Sequence, residues 1–303
     1  MEKLLIVGPG SQILGVKVAK ELDIPAINTE FKHFADGENY IRINVGDEAI
    51  IKDKEVIIIH STGPSSNVDQ NERIIELFMI ISSVKGMNPK KITVVVPYLA
   101  YARQDKIFRL GESPFAEILV KILDSLNIDG FYTVDVHNPD ILKNFSCEAT
   151  NIDSMKLLAD YVKSLQAKDI IVISPDKGAI ERSKAFAKHF GKDTSVEYFE
   201  KERDVKTGDI KMLGKLDLKN KDVVIADDII STGGTMAEAI KLAKEGGARK
   251  IYAVATHALM LQQAKFRILK AGADEIIGTD SIDNELAKVS LAKVISEHLK
   301  LMS

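Results

Sequence analysis

Two adjacent carboxylates, Asp227 and Asp228, follow a short apolar run and stand just before a small polar loop, Ser231-Thr232-Gly233-Gly234-Thr235. An ionised carboxylate only accepts hydrogen bonds, so a pair of them suits neighbouring hydroxyl groups such as those of a sugar. The loop precedes a helical pattern, where unsatisfied backbone N–H groups, the helix dipole and hydroxyl donors favour a phosphate-sized anion. A phosphate cradle beside a diol acceptor predicts a pocket for ribose 5-phosphate.

Simpler interpretations of this stretch explain less of it. An acidic strand end followed by a turn and an N-cap accounts for the glycines and the threonine, but not for two adjacent carboxylates. The loop is not a Walker A motif, because the G-x-x-x-x-G-K-[ST] spacing and its lysine are missing. We therefore interpret the stretch as a binding site.

The string ADDIISTGGT, residues 226–235, resembles the phosphoribosyl-binding motif of proteins with the type I phosphoribosyltransferase fold. This motif alone does not separate phosphoribosyltransferases from the related ribose-phosphate pyrophosphokinases. A second string, VPYLAYARQD at residues 96–105, is similar to the ATP-binding signature of the pyrophosphokinase family. The resemblance implies that ATP is bound by three residues whose side chains suit phosphate and adenine, namely Arg103, Gln104 and Asp105.

The string HFADGENYIRI, residues 33–43, is by itself an ordinary turn before a strand. It matches the family's adenine-binding loop, which in relatives is contributed across a subunit interface. The resemblance therefore implies that ATP is also bound by Phe34, Asp36, Gly37 and Glu38. It further implies a homo-oligomer, at least a dimer, in which this loop completes a neighbour's ATP site.

Two residues just past predicted strand ends, His137 and Asp176, match positions at the family's magnesium–nucleotide site. The resemblance implies Mg²⁺ as the cofactor, although magnesium prefers oxygen ligands and His137 is an unusual choice on chemistry alone.

The charged segment 198–210 lacks periodicity and predicts a mobile loop or a hairpin arm. The family has a catalytic flexible loop here, with a lysine and, two residues later, an arginine. Lys201 and Arg203 match these catalytic positions, and Arg203 is expected to reach ribose 5-phosphate as well. Glu202 departs from the basic residue usual in bacterial members.

Short apolar runs alternate with helical patterns along nearly the whole chain, which predicts parallel α/β sheets. The predicted strands are 4–7, 56–59, 92–96, 131–134, 170–173, 223–226, 251–255 and 275–278. With the resemblance, the fold class is α/β, with two tandem type I phosphoribosyltransferase-like domains, each a mainly parallel sheet flanked by helices.

The domain boundary is predicted near residues 147–151, giving domains 1–148 and 149–303. The last predicted helix either stays with the second domain or packs back on the first. Residues 54–64 resemble residues 221–234, as a duplication would produce, but any two α/β units can look this similar.

The composition limits the classes of partner and compartment. The chain has 303 residues, 45% apolar and 28% charged, and a net charge of −3, which suits neither nucleic acid nor a membrane surface. Cys147 is its only cysteine, and the first residues lack a signal-peptide pattern. We expect a cytoplasmic protein without disulfides.

The resemblance implies synthesis of 5-phospho-α-D-ribose 1-diphosphate from ATP and ribose 5-phosphate, with release of AMP. A purine or pyrimidine phosphoribosyltransferase, a non-catalytic regulatory paralogue and a two-domain sugar-binding protein are the alternatives. The segment 106–118 differs from the arginine-rich stretch of bacterial relatives, and Ser231 replaces an aspartate common there. Both features indicate the archaeal-type branch and argue against allosteric inhibition.

Overall fold

The computed structural model describes residues 2–65, 67–175, 179–192, 194–203, 210–213 and 216–301. Two compact units are present, each described by itself below. The first comprises Met1–Asp153, Asp280–Asn284 and Ser290–Ser303, and the second comprises Ser154–Thr279 and Glu285–Val289. The first unit thus extends past the predicted boundary at residue 148, because Glu148–Ile152 forms the edge strand of its sheet.

The first unit alternates strands and helices, as its apolar runs predict. Its elements up to residue 152 are β1 Lys3–Val7, α1 Gln12–Leu22, β2 Ala26–His33, β3 Asn39–Ile43, β4 Glu55–Ile59, α2 Gln70–Lys85, β5 Lys91–Val96, α3 Phe115–Ser125, β6 Gly130–Val134 and β7 Glu148–Ile152. The described strands form one sheet in the order β3-β2-β1-β4-β5-β6-β7. Within it β2 and β3 pair antiparallel, and the other described pairs are parallel.

The second unit has the same layered plan. Its elements are α4 Met155–Ser164, β8 Ile170–Ser174, α5 Ile180–Ala187, β9 Val196–Tyr198, β10 Glu200–Arg203, β11 Ile210–Leu213, β12 Asp222–Ile230, α6 Gly234–Glu245, β13 Lys250–Ala258, α7 Ala264–Ala271, β14 Glu275–Thr279 and β15 Ala287–Val289. The main described sheet is parallel in the order β15-β14-β13-β12-β8-β9. Strands β10 and β11 form a separate antiparallel pair. The predicted α/β fold class is confirmed.

The last helix, α8 Ala292–Leu301, belongs to the first unit. It contacts α1 and β7, and it buries Ile295 and Leu299. The structure thus takes the second of the two positions predicted for this helix. The physical reason is an apolar face that needs a partner, and burying a large aliphatic side chain stabilises a fold by roughly 1.5–3 kcal/mol.

Strand β12, which carries the predicted site, is buried on both faces. Val223 and Ile225 pack in one apolar cluster with helix α6, whereas Val224 and Ala226 pack in another with helix α4. A central parallel strand is covered by helices on both sides, so its residues form a continuous apolar run instead of an alternating one. This explains why the stretch before the carboxylates is uniformly apolar.

Asp222 fixes the start of β12. Its carboxylate accepts hydrogen bonds from Arg249 Nε at 2.8 Å and from the Lys168 backbone N–H at 2.7 Å. Burial by itself favours the protonated form, but these donors together hold the pKa of Asp222 below its usual value. The ionised carboxylate therefore anchors one end of the strand whose other end carries the site.

The strands that the sequence patterns missed are polar or short. Strand β2, for example, alternates exposed and half-buried residues and has no apolar run. Strand β7 likewise has only its last residue, Ile152, fully buried. Such strands owe their pairing to a neighbour in the sheet, which no local pattern records.

Candidate functional site

Asp227 and Asp228 lie inside β12, not beyond its end. The predicted strand ended at residue 226, but pairing with β13 continues through Asp227 opposite Ala255 to Ile230 opposite Ala258. The Asp227 side chain is 25% exposed and that of Asp228 only 5%. The Asp228 backbone N–H donates to Asp227 Oδ1 at 2.9 Å. The strand therefore holds both carboxylates rigidly at its carboxyl end.

Arg182, in α5, lies beside both carboxylates. Its Nη1 is 2.5 Å from Asp228 Oδ1 and 3.4 Å from Asp227 Oδ1. A guanidinium so placed offsets the repulsion between two adjacent negative charges. The sequence analysis missed Arg182. The available signal was a basic residue in the helix that follows β8, the strand next to β12 in the sheet.

The loop after β12 leads directly into α6. Gly233 adopts the left-handed conformation with φ 71°, and α6 begins at Gly234. Its N-cap residue, Gly233, has no side chain with which to cap the helix. The first N–H groups of a helix have no carbonyl partner within it, and a site for an anion commonly forms there. The phosphate site that the composition of this loop predicts stays a prediction.

The corresponding connection in the first unit leads to a helix with a side-chain N-cap. There β4 leads through residues 60–69 to α2, and the Asp69 carboxylate accepts hydrogen bonds from the N–H groups of Asn71 at 2.8 Å and Glu72 at 2.9 Å. A carboxylate at the N-cap already supplies the negative charge that the helix end favours. Helix α2 thus has a carboxylate at its N-cap, whereas the N-cap of α6 is a glycine.

Gly233 and Gly234 form a matched pair for substitution. A Cβ at Gly233 would lie 3.0 Å from Ile268 Cδ1 and 3.2 Å from Ala264 Cβ, in a backbone conformation that L-residues rarely adopt. A Cβ at Gly234 would have no heavy atom of the described chain within 4 Å. We expect Gly233→Ala to lower the free energy of unfolding by about 1–3 kcal/mol. Gly234→Ala should leave it nearly unchanged.

Urea denaturation of both variants checks this prediction. Equal stabilities would mean that the left-handed conformation at Gly233 is not needed in the folded protein.

The predicted ATP segment lies after β5. Arg103 and Gln104 are exposed and Asp105 is half-buried. The Gln104 N–H donates to the Tyr101 carbonyl at 2.8 Å, and Asp105 Oδ2 accepts from Asn138 Nδ2 at 2.7 Å. Because Asn138 follows His137 directly, the structure brings the end of the ATP segment and the predicted metal segment together.

The loop with Phe34, Asp36, Gly37 and Glu38 is the tip of the β2–β3 hairpin. The Phe34 N–H donates to the Glu38 carbonyl at 2.8 Å, and Gly37 adopts φ 91°. The Phe34 side chain is 51% exposed.

A groove of about 530 Å³ runs along this hairpin tip. It is lined by Gly37 and Glu38 from the tip and by Asn71 and Glu72 from helix α2. Asn71 in turn accepts a hydrogen bond from the Tyr101 hydroxyl, so the groove reaches toward the predicted ATP segment.

The remaining predicted residues are less fully described. His137 is half-buried just after β6, and Asp176 lies outside the described residues. Lys201 and Arg203 lie on β10, in register with Met212 and Ile210 of β11. Among the described residues, no three His, Cys, Asp or Glu side chains are placed to hold a metal ion together. No helix in the described part of the chain is long and apolar enough to cross a membrane.

Comparisons with known proteins agree with this geometry over nearly the whole chain. Residues 4–126 match the family model for the N-terminal domain of ribose phosphate pyrophosphokinase, and residues 146–285 match the phosphoribosyl transferase domain. The ribose-phosphate pyrophosphokinase of Saccharolobus solfataricus is 36% identical, with 97% of this chain and 99% of the relative covered. That of Methanobrevibacter smithii is also 36% identical, with 98% and 100% covered.

A solved structure extends the agreement to three dimensions. The phosphoribosylpyrophosphate synthetase from Mycobacterium smegmatis superimposes with a TM-score of 0.85 at 28% identity, covering 100% of this chain and 99% of that one. The lower identity to this bacterial protein fits the prediction of an archaeal-type chain. With both family models and full-length relatives matched, the chain belongs to the ribose-phosphate pyrophosphokinase family of enzymes.

Proposed function

We propose that this chain transfers a diphosphoryl group from ATP to the anomeric hydroxyl of ribose 5-phosphate. The observation that carries the proposal is the carboxylate pair of β12, followed within a few residues by the N-terminus of α6 with Gly233 as its N-cap. This arrangement suits a sugar diol and a phosphate of one molecule, in a chain that matches pyrophosphokinases along its length. The anomeric oxygen forms a bond to the β-phosphorus and loses its proton. The bond from that phosphorus to the oxygen bridging the α-phosphate breaks, and AMP leaves.

The ribose 5-phosphate half of the site is proposed to lie in the second unit. Asp227 and Asp228 accept hydrogen bonds from the ribose hydroxyls, and residues 231–235 donate to the 5-phosphate. Anchoring both ends of the sugar fixes the direction of the anomeric hydroxyl. Such orientation is a main source of rate in phosphoryl transfer, where the protein supplies positioning more than covalent chemistry.

The ATP half is proposed to use Arg103, Gln104 and Asp105 with the hairpin tip 34–38 of a neighbouring subunit. Two observations support a second copy of this chain as the donor of that tip: the tip joins β2 and β3 at one edge of the sheet, and Phe34 is 51% exposed. We therefore propose a homo-oligomer, at least a dimer. An enzyme that consumes ATP in this way is proposed to work in the cytoplasm.

Mg²⁺ is the proposed cofactor, held near ATP by His137 and Asp176. Bound there, it would neutralise charge on the phosphate oxygens. The position of His137 supports this assignment, because the next residue, Asn138, donates a hydrogen bond to Asp105 at the end of the proposed ATP segment. Mg²⁺ bound with a nucleotide takes most of its ligands from phosphate and water. Lys201 and Arg203 are proposed to stabilise the charge that develops on the transferring group.

The pH dependence of ribose 5-phosphate binding tests the role of Asp227. Burial and repulsion by Asp228 raise the pKa of Asp227 well above its ordinary value. Protonation is thus favoured in the folded protein, and this contribution to stability is lost as pH rises through the folded pKa. Binding should respond in the opposite direction, since only the ionised carboxylate accepts from both hydroxyls. We expect affinity to fall as the pH is lowered through that value.

Calorimetric titration with ribose 5-phosphate, at a series of pH values above the ordinary pKa of an aspartate, measures this effect. The matched control is Asp227→Asn, whose amide does not titrate, while the phosphate of the ligand titrates equally in both. Parallel curves for the two proteins would contradict the assignment of Asp227.

The activity itself is tested by incubating the protein with ATP, magnesium and ribose 5-phosphate and following AMP by chromatography. We expect one AMP for each ribose 5-phosphate consumed, and none when ribose replaces ribose 5-phosphate. A phosphoribosyltransferase would instead release diphosphate from a nucleobase and 5-phosphoribosyl 1-diphosphate. That result, without AMP formation, would overturn the proposal.

A further inference from the structure

The loop at residues 231–235, here called the phosphate loop, is fixed by hydrogen bonds from the connection between β13 and α7, residues 259–263. The N–H groups of Leu259 and Met260 donate to the Ile230 carbonyl at 2.9 and 3.2 Å, and the Leu261 N–H donates to the Ser231 carbonyl at 2.9 Å. The next carbonyl, that of Thr232, accepts from Arg267 Nη1. Three successive carbonyls, those of residues 230–232, are therefore bound by residues 259–267.

These bonds determine where the loop's N–H groups point. In a trans peptide the C=O and the following N–H are antiparallel. The Thr232 carbonyl is bound by Arg267, so the N–H of Gly233 faces away from α7. Gly233 is also the N-cap of α6, so this N–H lies at the start of that helix. Arg267 thus orients a donor of the phosphate site without needing to touch the ligand.

The supporting connection is itself held in an uncommon conformation. Met260, Gln262 and Gln263 have φ values of 54°, 51° and 60°, although none of them is glycine. Non-glycine residues in this region are strained, persist only where the surroundings determine them, and cluster at functional sites. Arg267 reaches this connection too, with Nη2 3.4 Å from the Gln262 carbonyl.

Helix α7 also contacts the loop directly. Ile268 and Ala264 are fully buried and lie where a side chain at Gly233 would be. The guanidinium of Arg267, one residue before Ile268, is exposed and spans from the Thr232 carbonyl to the Gln262 carbonyl. A planar fork of donors suits such a double contact, whereas a lysine ammonium is a single point charge.

We propose that Arg267 is a positioning residue for the 5-phosphate of ribose 5-phosphate. It fixes the Thr232–Gly233 peptide so that its N–H is presented to the phosphate. The inference rests on the proposed function and adds a residue outside the motif at 226–235. It concerns binding of one substrate only, so ATP binding should be independent of Arg267.

Steady-state kinetics of three variants test the proposal. We expect Arg267→Met to raise KM for ribose 5-phosphate by about tenfold, as the loss of an oriented, charge-assisted bond would. KM for ATP and the Tm should stay unchanged. Arg267→Lys keeps the positive charge but not the planar set of N–H donors. It should raise KM for ribose 5-phosphate to a similar extent. Lys270→Met removes an equal charge from the same helix and should leave both KM values unchanged.

Three results would overturn the positioning role. Arg267→Lys with a wild-type KM would show that charge alone matters. An equal rise in KM for ribose 5-phosphate in Lys270→Met would show that any positive charge on α7 acts through a nonspecific electrostatic field. An equal rise of both KM values, or a lower Tm, would show a general effect on the fold.

Failure of the proposed function is distinguishable, because the wild-type protein would then form no AMP. In that case, calorimetric titration of wild type and Arg267→Met with ribose 5-phosphate still tests Arg267. Weaker binding by the variant supports the role, and equal binding overturns it.

Discussion

Lys201→Ala is expected to lower kcat by about a hundredfold or more, while KM for ATP changes little. Removal of one donor aimed at developing charge commonly costs about 10²–10³ in turnover. The ground state of ATP is expected to bind through residues 103–105 and 34–38, so the loss should fall on the transition state. Initial rates of AMP formation at saturating substrates, with ATP affinity measured separately, check the result.

Lys211→Ala is the matched control for this experiment. Lys211 lies on β11 in register with Glu202, so both lysines belong to the same pair of strands. The control should retain near-normal turnover if the effect is specific to Lys201. A collapse of ATP affinity in Lys201→Ala with unchanged turnover would mean that the lysine binds ATP instead of acting in transfer.

Asp228→Asn is expected to lower kcat/KM for ribose 5-phosphate by about a hundredfold. The substitution replaces a buried carboxylate with an amide, which removes an acceptor for the ribose hydroxyls and also the ion pair with Arg182. Most of the loss should appear in KM, since the contact exists in the ground state. Steady-state kinetics with varied ribose 5-phosphate measure it, and Asp217→Asn, at an exposed position, controls for the charge change.

Arg182→Gln separates the two roles of Asp228. It removes the ion pair but keeps both carboxylates, so the loss in kcat/KM should be clearly smaller than for Asp228→Asn. If Arg182→Gln reproduces the full loss, then Asp228 acts by holding Arg182, and the assignment of Asp228 to the ribose hydroxyls is wrong.

The loop at residues 231–235 shows how far local sequence can predict which residues lie together. Asp227, Asp228 and residues 231–235 stand within nine residues, on one strand, loop and helix start. Neighbours in sequence at such a junction remain neighbours in space whatever the rest of the fold does. The left-handed conformation at Gly233 and the helix start at Gly234 follow from the same local stretch.

Residues that act on this loop from elsewhere could not be found in the same way. Arg182 reaches the carboxylates from the helix after β8, and Arg267 reaches Thr232 from the helix after β13. Each contact depends on the order of strands in the sheet, which places β8 and β13 on either side of β12. That order results from long-range packing and leaves no trace in local periodicity.

The sequence by itself determined the family and the α/β class, because these depend on periodicity and on short strings of residues. Only the tertiary structure decided that β12 continues through both carboxylates, that Asp69 caps α2, and that α8 joins the first unit. These features depend on which surfaces meet. A strand's length is set by the neighbour that pairs with it, and a helix's position by the apolar face it must bury.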